Sequence, residues 1–245
     1  MLIEYEGTRY HGFQIQNDVH TIQGELEDAL LKTTGEKIRL HGAGRTDAGV
    51  HAKRQVAAFE TESELPPETY VKALNFYLPL DIAIKDALEA KDTFDPRRDA
   101  ISREYRYTIF NSSTRSPLVS RLAYRATGKL DCELMNQGCK SLMGEHDFSA
   151  FTNSEGKAKN TTRRVFEAQI QRRGNFVLFD IVANAFLPQQ VRRTVGSLIE
   201  VGTGKLDPEE FHQIVRSGKI EKAMQVAPPH GLCLIKVNYS NNWIW

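Results

Sequence analysis

Apolar positions along the chain switch between a strand period of two and a helical period, and the switches mark the elements. Residues 2–5 read as a short strand. Ile22, Leu26, Ala29 and Leu30 share one face of a helix predicted over 21–34, which Gly35 stops. Strands are predicted at 37–41 and 53–60, on either side of a glycine-rich loop. Pro66 or Pro67 opens a second helix carrying Tyr70, Val71, Leu74 and Tyr77, because a proline at the first helical position loses no hydrogen bond. Residues 81–88 return as a strand, giving the order β-α-β-β-α-β, a ferredoxin-like pattern.

The second part of the chain repeats that order. Tyr105, Tyr107 and Ile109 alternate with Glu104, Arg106 and Thr108 in a strand at 103–110. A helix is predicted over 131–143, and strands over 162–172 and 175–183 joined by a turn at Gly174 and Asn175. A helix opened by Pro188 over 188–202, a shorter one over 207–217 and a closing strand over 231–239 complete the pattern. No self-similarity of sequence accompanies the repetition, which is therefore architectural. These elements predict an α+β protein of two ferredoxin-like halves, residues 1–95 and 96–245, with the boundary between Lys91 and Arg103. Two antiparallel sheets side by side with a central cleft are expected, and such clefts are preferred substrate sites.

Composition narrows the class. The chain has 245 residues, 40% of them hydrophobic and 26% charged, as in a soluble globular protein with a substantial core. No apolar run approaches the roughly 20 residues of a membrane span, and no secretory-type segment opens the sequence. Cys132, Cys139 and Cys233 show no metal-ligand or CxxC spacing, which suits three thiols in a reducing compartment. A cytoplasmic protein without a membrane partner is expected.

Net charge is only +1, but it is a cancellation. Arg97, Arg98, Arg103, Arg106, Arg115, Arg121 and Arg125 make one basic sector, and Lys157, Lys159, Arg163, Arg164, Arg172 and Arg173 a second. Residues 60–95 are mainly acidic. A segregated basic face recruits phosphates by counterion release even when total charge is small, although ordinary solvated faces would carry the same residues.

The densest chemistry lies in residues 42–52, GAGRTDAGVHA. Asp47 sits between two glycine-rich turns with Arg45 two positions before it. Opposite charges in so tight a loop suggest a held acid, and loops on rigid scaffolds commonly carry catalysis. For an arbitrary string of this type a turn-capping aspartate would serve equally well.

The whole string resembles the signature of the TruA family of tRNA pseudouridine synthases, in which the aspartate of GRTDAGVH is the catalytic carboxylate. The resemblance extends over most of the chain. Residues 5–16, YEGTRYHGFQIQ, match the family's first segment, whose aromatics either contact RNA or pack beneath the loop. Residues 103–107, REYRY, resemble its R-Y-R-Y strand and put Tyr105 on the first tyrosine, with Tyr107 as a rival on the same face. An aromatic ring there would stack on uracil and its hydroxyl exchange a proton, whereas residue type alone suggests core. The run from Asn184 through Phe186, Arg192 and Gly196 resembles the family's N-A-F…V-R…V-G-S-L segment, whose arginine pairs with the catalytic aspartate. That assigns the role to Arg192 and supplies the cation an ionised carboxylate needs. The sequence departs from the family at residues 187–190, and Arg193 adds a second cation about 100° away on the helix.

The same resemblance implies that Arg45 fills the space left by a flipped nucleotide and that Arg97 contacts tRNA. Residues 144–151, GEHDFSAF, read as a turn leaving a helix with its own local hydrogen bonds, not as acid–base or metal chemistry. No Walker A, dinucleotide fingerprint or HExxH occurs. The implied function is cofactor-independent isomerisation of uridines 38, 39 and 40 in the tRNA anticodon stem–loop, by a homodimer with the pseudouridine synthase fold. An RRM-like RNA-binding module without catalysis shares the element order, but no RNP1-like run is present. A synthase acting on other tRNA sites, or a hydrolytic N-glycosidase, would use similar residues.

Overall fold

The computed structural model describes residues 1–152, 160–218 and 225–240. In chain order the first elements are β1 (Leu2–Tyr5), α1 (Ile22–Thr34), β2 (His41–Gly42), β3 (His51–Ala58), α2 (Pro67–Tyr77) and β4 (Ile82–Asp86). There follow β5 (Ser102–Asn111), β6 (Tyr124–Ala126), α3 (Cys132–Leu142), β7 (Gly144–Asp147), β8 (Thr162–Arg173) and β9 (Phe176–Ala183). The last are α4 (Gln190–Gly202), α5 (Pro208–Ser217) and β10 (Leu232–Asn238). The chain divides into two compact units, Met1–Ile101 with the segment from Cys233 onward, and Ser102–Leu232. The closing strand therefore groups with the first unit, where the sequence reading had kept it with the second half. Its pairing explains this, since Cys233 and Leu234 lie parallel to His51 and Ala52 of β3.

In the first unit β1 is flanked by β3 and β4, both antiparallel to it. The remaining edge of β3 is shared: β2 pairs with Ala57 and Ala58 at one end, and β10 with His51 and Ala52 at the other. Ile3, Val56 and Ile84 from the strands, Leu26 and Leu30 from α1 and Leu74 from α2 are buried, each contributing about 1.5–3 kcal/mol by leaving water. Thr21 caps α1 by accepting from the Gly24 N–H, and Gly35 closes it at φ 78°. Asn75 clamps α2 to β4, its amide bonding both backbone groups of Ile84 at 2.8 Å.

The strand predicted at 37–41 shrinks to His41–Gly42. Ile38 and Leu40 are buried as a strand would bury them, but α1 satisfies the backbone instead. Leu40 N–H donates to Glu27 Oε1, and its carbonyl accepts from Gln23 Nε2, both at 3.0 Å. With those groups bonded to side chains, no neighbouring strand is required there.

In the second unit β9 lies between β5 and β8, and β7 pairs with β8, all antiparallel. β6 is parallel to the end of β5. Tyr107, Ile109, Val177, Phe179 and Ile181 form the buried side of β5 and β9, while Arg106 and Asp180 stand opposite each other on the alternate side. Their ion pair is bidentate, at 2.6 and 2.9 Å, and half-buried. Asp180→Asn should cost about 1 kcal/mol, read as a lower urea midpoint with an unchanged slope.

Residues 144–151 are not simply a turn. The first four form β7, opposite Thr162 to Val165, and a 3-10 turn follows at Ser149–Phe151. The expected local bonding is present within it: Ser149 N–H donates to Asp147 Oδ1 at 2.9 Å. Together with a hydrogen bond from Thr161, the larger influence, this holds the Asp147 carboxyl below the usual range. The helix predicted from residue 188 begins at Gln190, because Gln189 adopts φ 59° as its N-cap. No helix among the described residues is long and apolar enough to cross a membrane.

Candidate active site

In the first unit, the loop between β2 and β3 holds Asp47 half-buried, with Arg45 and Ala48 exposed and Thr46 and Val50 buried. It is fixed almost entirely from below. Ala43 N–H donates to the Val56 carbonyl at 2.8 Å, and Gln55 Nε2 to the Gly44 carbonyl at 2.9 Å. A turn closes across the acid, Val50 N–H donating to the Asp47 carbonyl at 3.1 Å, with Gly49 at φ 77°.

The segment after β1 forms the floor. Phe13 N–H donates to the Thr46 carbonyl at 3.1 Å, and Gly49 N–H to the Tyr10 carbonyl at 3.2 Å. Tyr5 and Thr46 share a hydroxyl–hydroxyl bond at 2.9 Å. Gly7 N–H donates to His51 Nδ1 at 2.9 Å. Tyr10 is in turn anchored through its hydroxyl to Asp81 at 2.6 Å, beside an Arg9–Asp81 ion pair. Tyr5, Tyr10 and Phe13 are buried, so of the two roles open to this segment, packing beneath the loop is the one they take.

Arg97 lies on an exposed turn of the same unit. Its N–H and that of Arg98 both donate to Asp95 Oδ1, at 2.8 and 2.9 Å. The Arg98 N–H is the main reason the Asp95 carboxyl is held below the usual carboxylate range.

In the second unit, Tyr105 is half-buried on β5, its ring edge-on to Phe186 at 5.1 Å between centroids. The N-A-F segment thus supplies the surface against which Tyr105 is set. Tyr107, the rival, is fully buried, and its hydroxyl donates to the Pro228 carbonyl at 2.8 Å. Burial pushes its phenol pKa up, against an opposing pull from the nearby Arg192 cation. Tyr107 is a core residue, leaving Tyr105 as the more accessible of the pair.

Arg192 and Arg193 diverge as adjacent helical residues must. Arg192 Nε donates to the Ala227 carbonyl at 2.8 Å, whose own N–H returns a bond to the Arg192 carbonyl at 3.1 Å. Arg193 turns back along the helix, Nη2 donating to Gln189 Oε1 at 3.2 Å. Arg192 is therefore the arginine on the Tyr107 side of α4.

Several arginines counted in the basic sectors bond within their own unit. Arg106 pairs with Asp180, Arg103 donates to the Asn184 carbonyl, Arg125 to that of Ser113 and Arg172 to that of Leu130. Of these four, Arg106 is matched by a carboxylate, and Arg125 and Arg172 remain exposed. Lys157 and Lys159 lie outside the described residues. Among the described residues no group of three or more His, Cys, Asp or Glu side chains is placed to hold a metal ion.

The features that sequence reasoning did not single out are Thr46 and His51, the buried polar partners within the loop motif itself. Their signal was available: both lie near Asp47 in a string whose other members, Arg45 apart, are glycines, alanines and a valine.

Comparison with known proteins identifies the family. The family described as tRNA pseudouridine synthase matches residues 1–97 and 139–240. A protein named tRNA pseudouridine synthase A from Geotalea daltonii is 45% identical over 239 residues, covering 98% of both chains. Proteins of the same name from Acetivibrio thermocellus and Caldicellulosiruptor bescii are 43% and 41% identical, again over 98% of both chains. A match this long, through the Asp47 loop and both arginine-bearing segments, means that the chain belongs to the TruA family of tRNA pseudouridine synthases.

Proposed function

We propose that this protein isomerises uridine to pseudouridine at positions 38, 39 and 40 of the tRNA anticodon stem–loop, with Asp47 as the nucleophile. The carrying observation is the Asp47 loop: a half-buried carboxylate on a backbone pinned at both ends, within the motif of its family.

The reaction is atom-balanced. The C1′–N1 bond breaks, the uracil turns, a C1′–C5 bond forms, and the C5 hydrogen leaves as a proton that N1 replaces from solvent. A carboxylate adding to the ring or to the sugar carbon serves as covalent catalyst. Arg192 is, in this reading, the catalytic arginine that the family motif assigns. Tyr105 stacks on the uracil and exchanges the proton, and Phe186 limits where its ring can go. A uridine in or beside a stem must be flipped out, which costs a few kcal/mol, and Arg45 takes its place. Arg97, exposed on its turn, contacts the phosphate backbone. No cofactor enters this scheme. Two copies of the chain hold one tRNA in this reading.

Unmodified tRNA carrying uridines at these positions tests it. Tritium release from C5, with carbodiimide labelling confined to positions 38–40, is the expected result. Release of free uracil would make the protein a glycosidase, and labelling elsewhere would move the substrate site. Because Asp180 already matches Arg106, the salt dependence of tRNA affinity should be shallower than the number of sector arginines suggests. A log–log slope of about −3 to −5 is expected in a filter-binding titration.

A further inference from the structure

We infer that the buried hydroxyl pair of Tyr5 and Thr46 positions Asp47 for catalysis, making Tyr5 a positioning residue for the reaction; this rests on Asp47 being the nucleophile. Thr46 immediately precedes Asp47, so whatever fixes its torsions fixes where the carboxylate starts. Its carbonyl is held by Phe13 N–H, and its hydroxyl lies 2.9 Å from Tyr5 Oη. The two residues are 3% and 7% exposed, so water does not readily replace either partner. Thr46 is β-branched, and engaging its hydroxyl selects one side-chain rotamer and with it the direction of the methyl group.

Further restraints on this stretch are backbone bonds, the bond from Gln55 Nε2 to the Gly44 carbonyl, and contacts at Gly12, where an added Cβ would lie 2.6 Å from the Thr46 carbonyl. The hydroxyl pair is thus a restraint that can be removed with the backbone left as it is. Tyr5 comes from β1 and its ring packs on Phe13, 6.2 Å between centroids. Replacing Tyr5 by Phe keeps that packing and deletes only the hydroxyl. Misplacing a reactive group by an ångström is enough to lower turnover by orders of magnitude.

The test is a cycle of Tyr5→Phe, Thr46→Val and the double variant, with Thr46→Ser as the conservative control and Asp47→Ala alongside. Full chains are used at saturating tRNA, with rates normalised to folded protein. Each single variant should lower kcat about 10-fold or more, with KM within about twofold of the parent. The double variant should be no slower than the slower single, because both remove one bond. Thr46→Ser should retain kcat within about threefold, since it keeps the hydroxyl. Unchanged kcat in the single variants, losses that multiply in the double, or a change in KM alone would each overturn the inference. If Asp47→Ala remains active, it is the nucleophile reading that fails, whatever the cycle gives.

Discussion

Asp47→Ala is expected to abolish pseudouridine formation, a loss of about 10⁴-fold or more, while tRNA affinity stays within about twofold. The asymmetry follows from where the residue sits. The loop backbone is held by bonds to Val56, Phe13 and Tyr10, and none of these uses the Asp47 side chain. Truncation therefore removes the carboxylate and leaves the loop in place. Binding of a polyanion depends mainly on cations, and losing one carboxylate slightly favours it. Asp47→Asn should be equally inactive, because the neutral amide keeps the shape and loses the carboxylate. Tritium release in single-turnover conditions measures the first quantity and filter binding the second. Residual turnover above a hundredth of the parent rate would remove Asp47 from the centre of the mechanism.

Gly7→Ala should be the most destabilising small substitution near the site, costing about 3 kcal/mol and lowering the thermal midpoint by roughly 6–12 °C. An added Cβ would run into the Val50 carbonyl, which is backbone and cannot rotate away. Relief requires separating the turn after β1 from the start of β3, and that also breaks the bond from Gly7 N–H to His51 Nδ1. Activity should fall with stability, because Asp47 lies three residues before Val50. Gly44→Ala is the contrasting case. Nothing lies within 4 Å of its added Cβ, so stability should change by less than about 0.5 kcal/mol. Equal stability of the two variants in a urea titration would contradict the packing described here.

Much of this fold could be read from residue patterns because its caps carry local signals. Thr21 and Gly35 bound α1, Asp131 caps α3, and Asp207 with Glu210 makes a capping box for α5. The long strands β5, β8 and β9 were visible from alternation and from the turn at Gly174, which adopts φ 59°. What stayed hidden depended on distant partners. β6 and β7 are three and four residues long and exist only because β5 and β8 offer an edge. Residues 37–40 have strand-like burial, yet α1 side chains take their backbone bonds.

The site divided in the same way. Asp47, Arg45, Tyr105, Arg97 and Arg192 were named by motif, whereas separating Tyr105 from Tyr107 needed burial and a hydrogen bond to Pro228. Arg192 and Arg193 differ in their partners, the Ala227 carbonyl and the Gln189 side chain. The hydroxyl pairing under Asp47 was not legible, because no spacing rule connects Tyr5 to Thr46 across the intervening helix.

The shared edge of β3 has a consequence for synthesis. β2, which covers one end of that edge, emerges from the ribosome just before β3, but β10, which covers the end adjoining the Asp47 loop, follows the whole second unit. Contacts that close such long stretches of chain form late and slowly. A nascent chain can therefore complete its second unit while the β10 side of His51 and Ala52 is still uncovered. The enzyme should gain activity in one late step, when its last strand is threaded into place, and chains stalled before Cys233 should carry the catalytic motif without the chemistry.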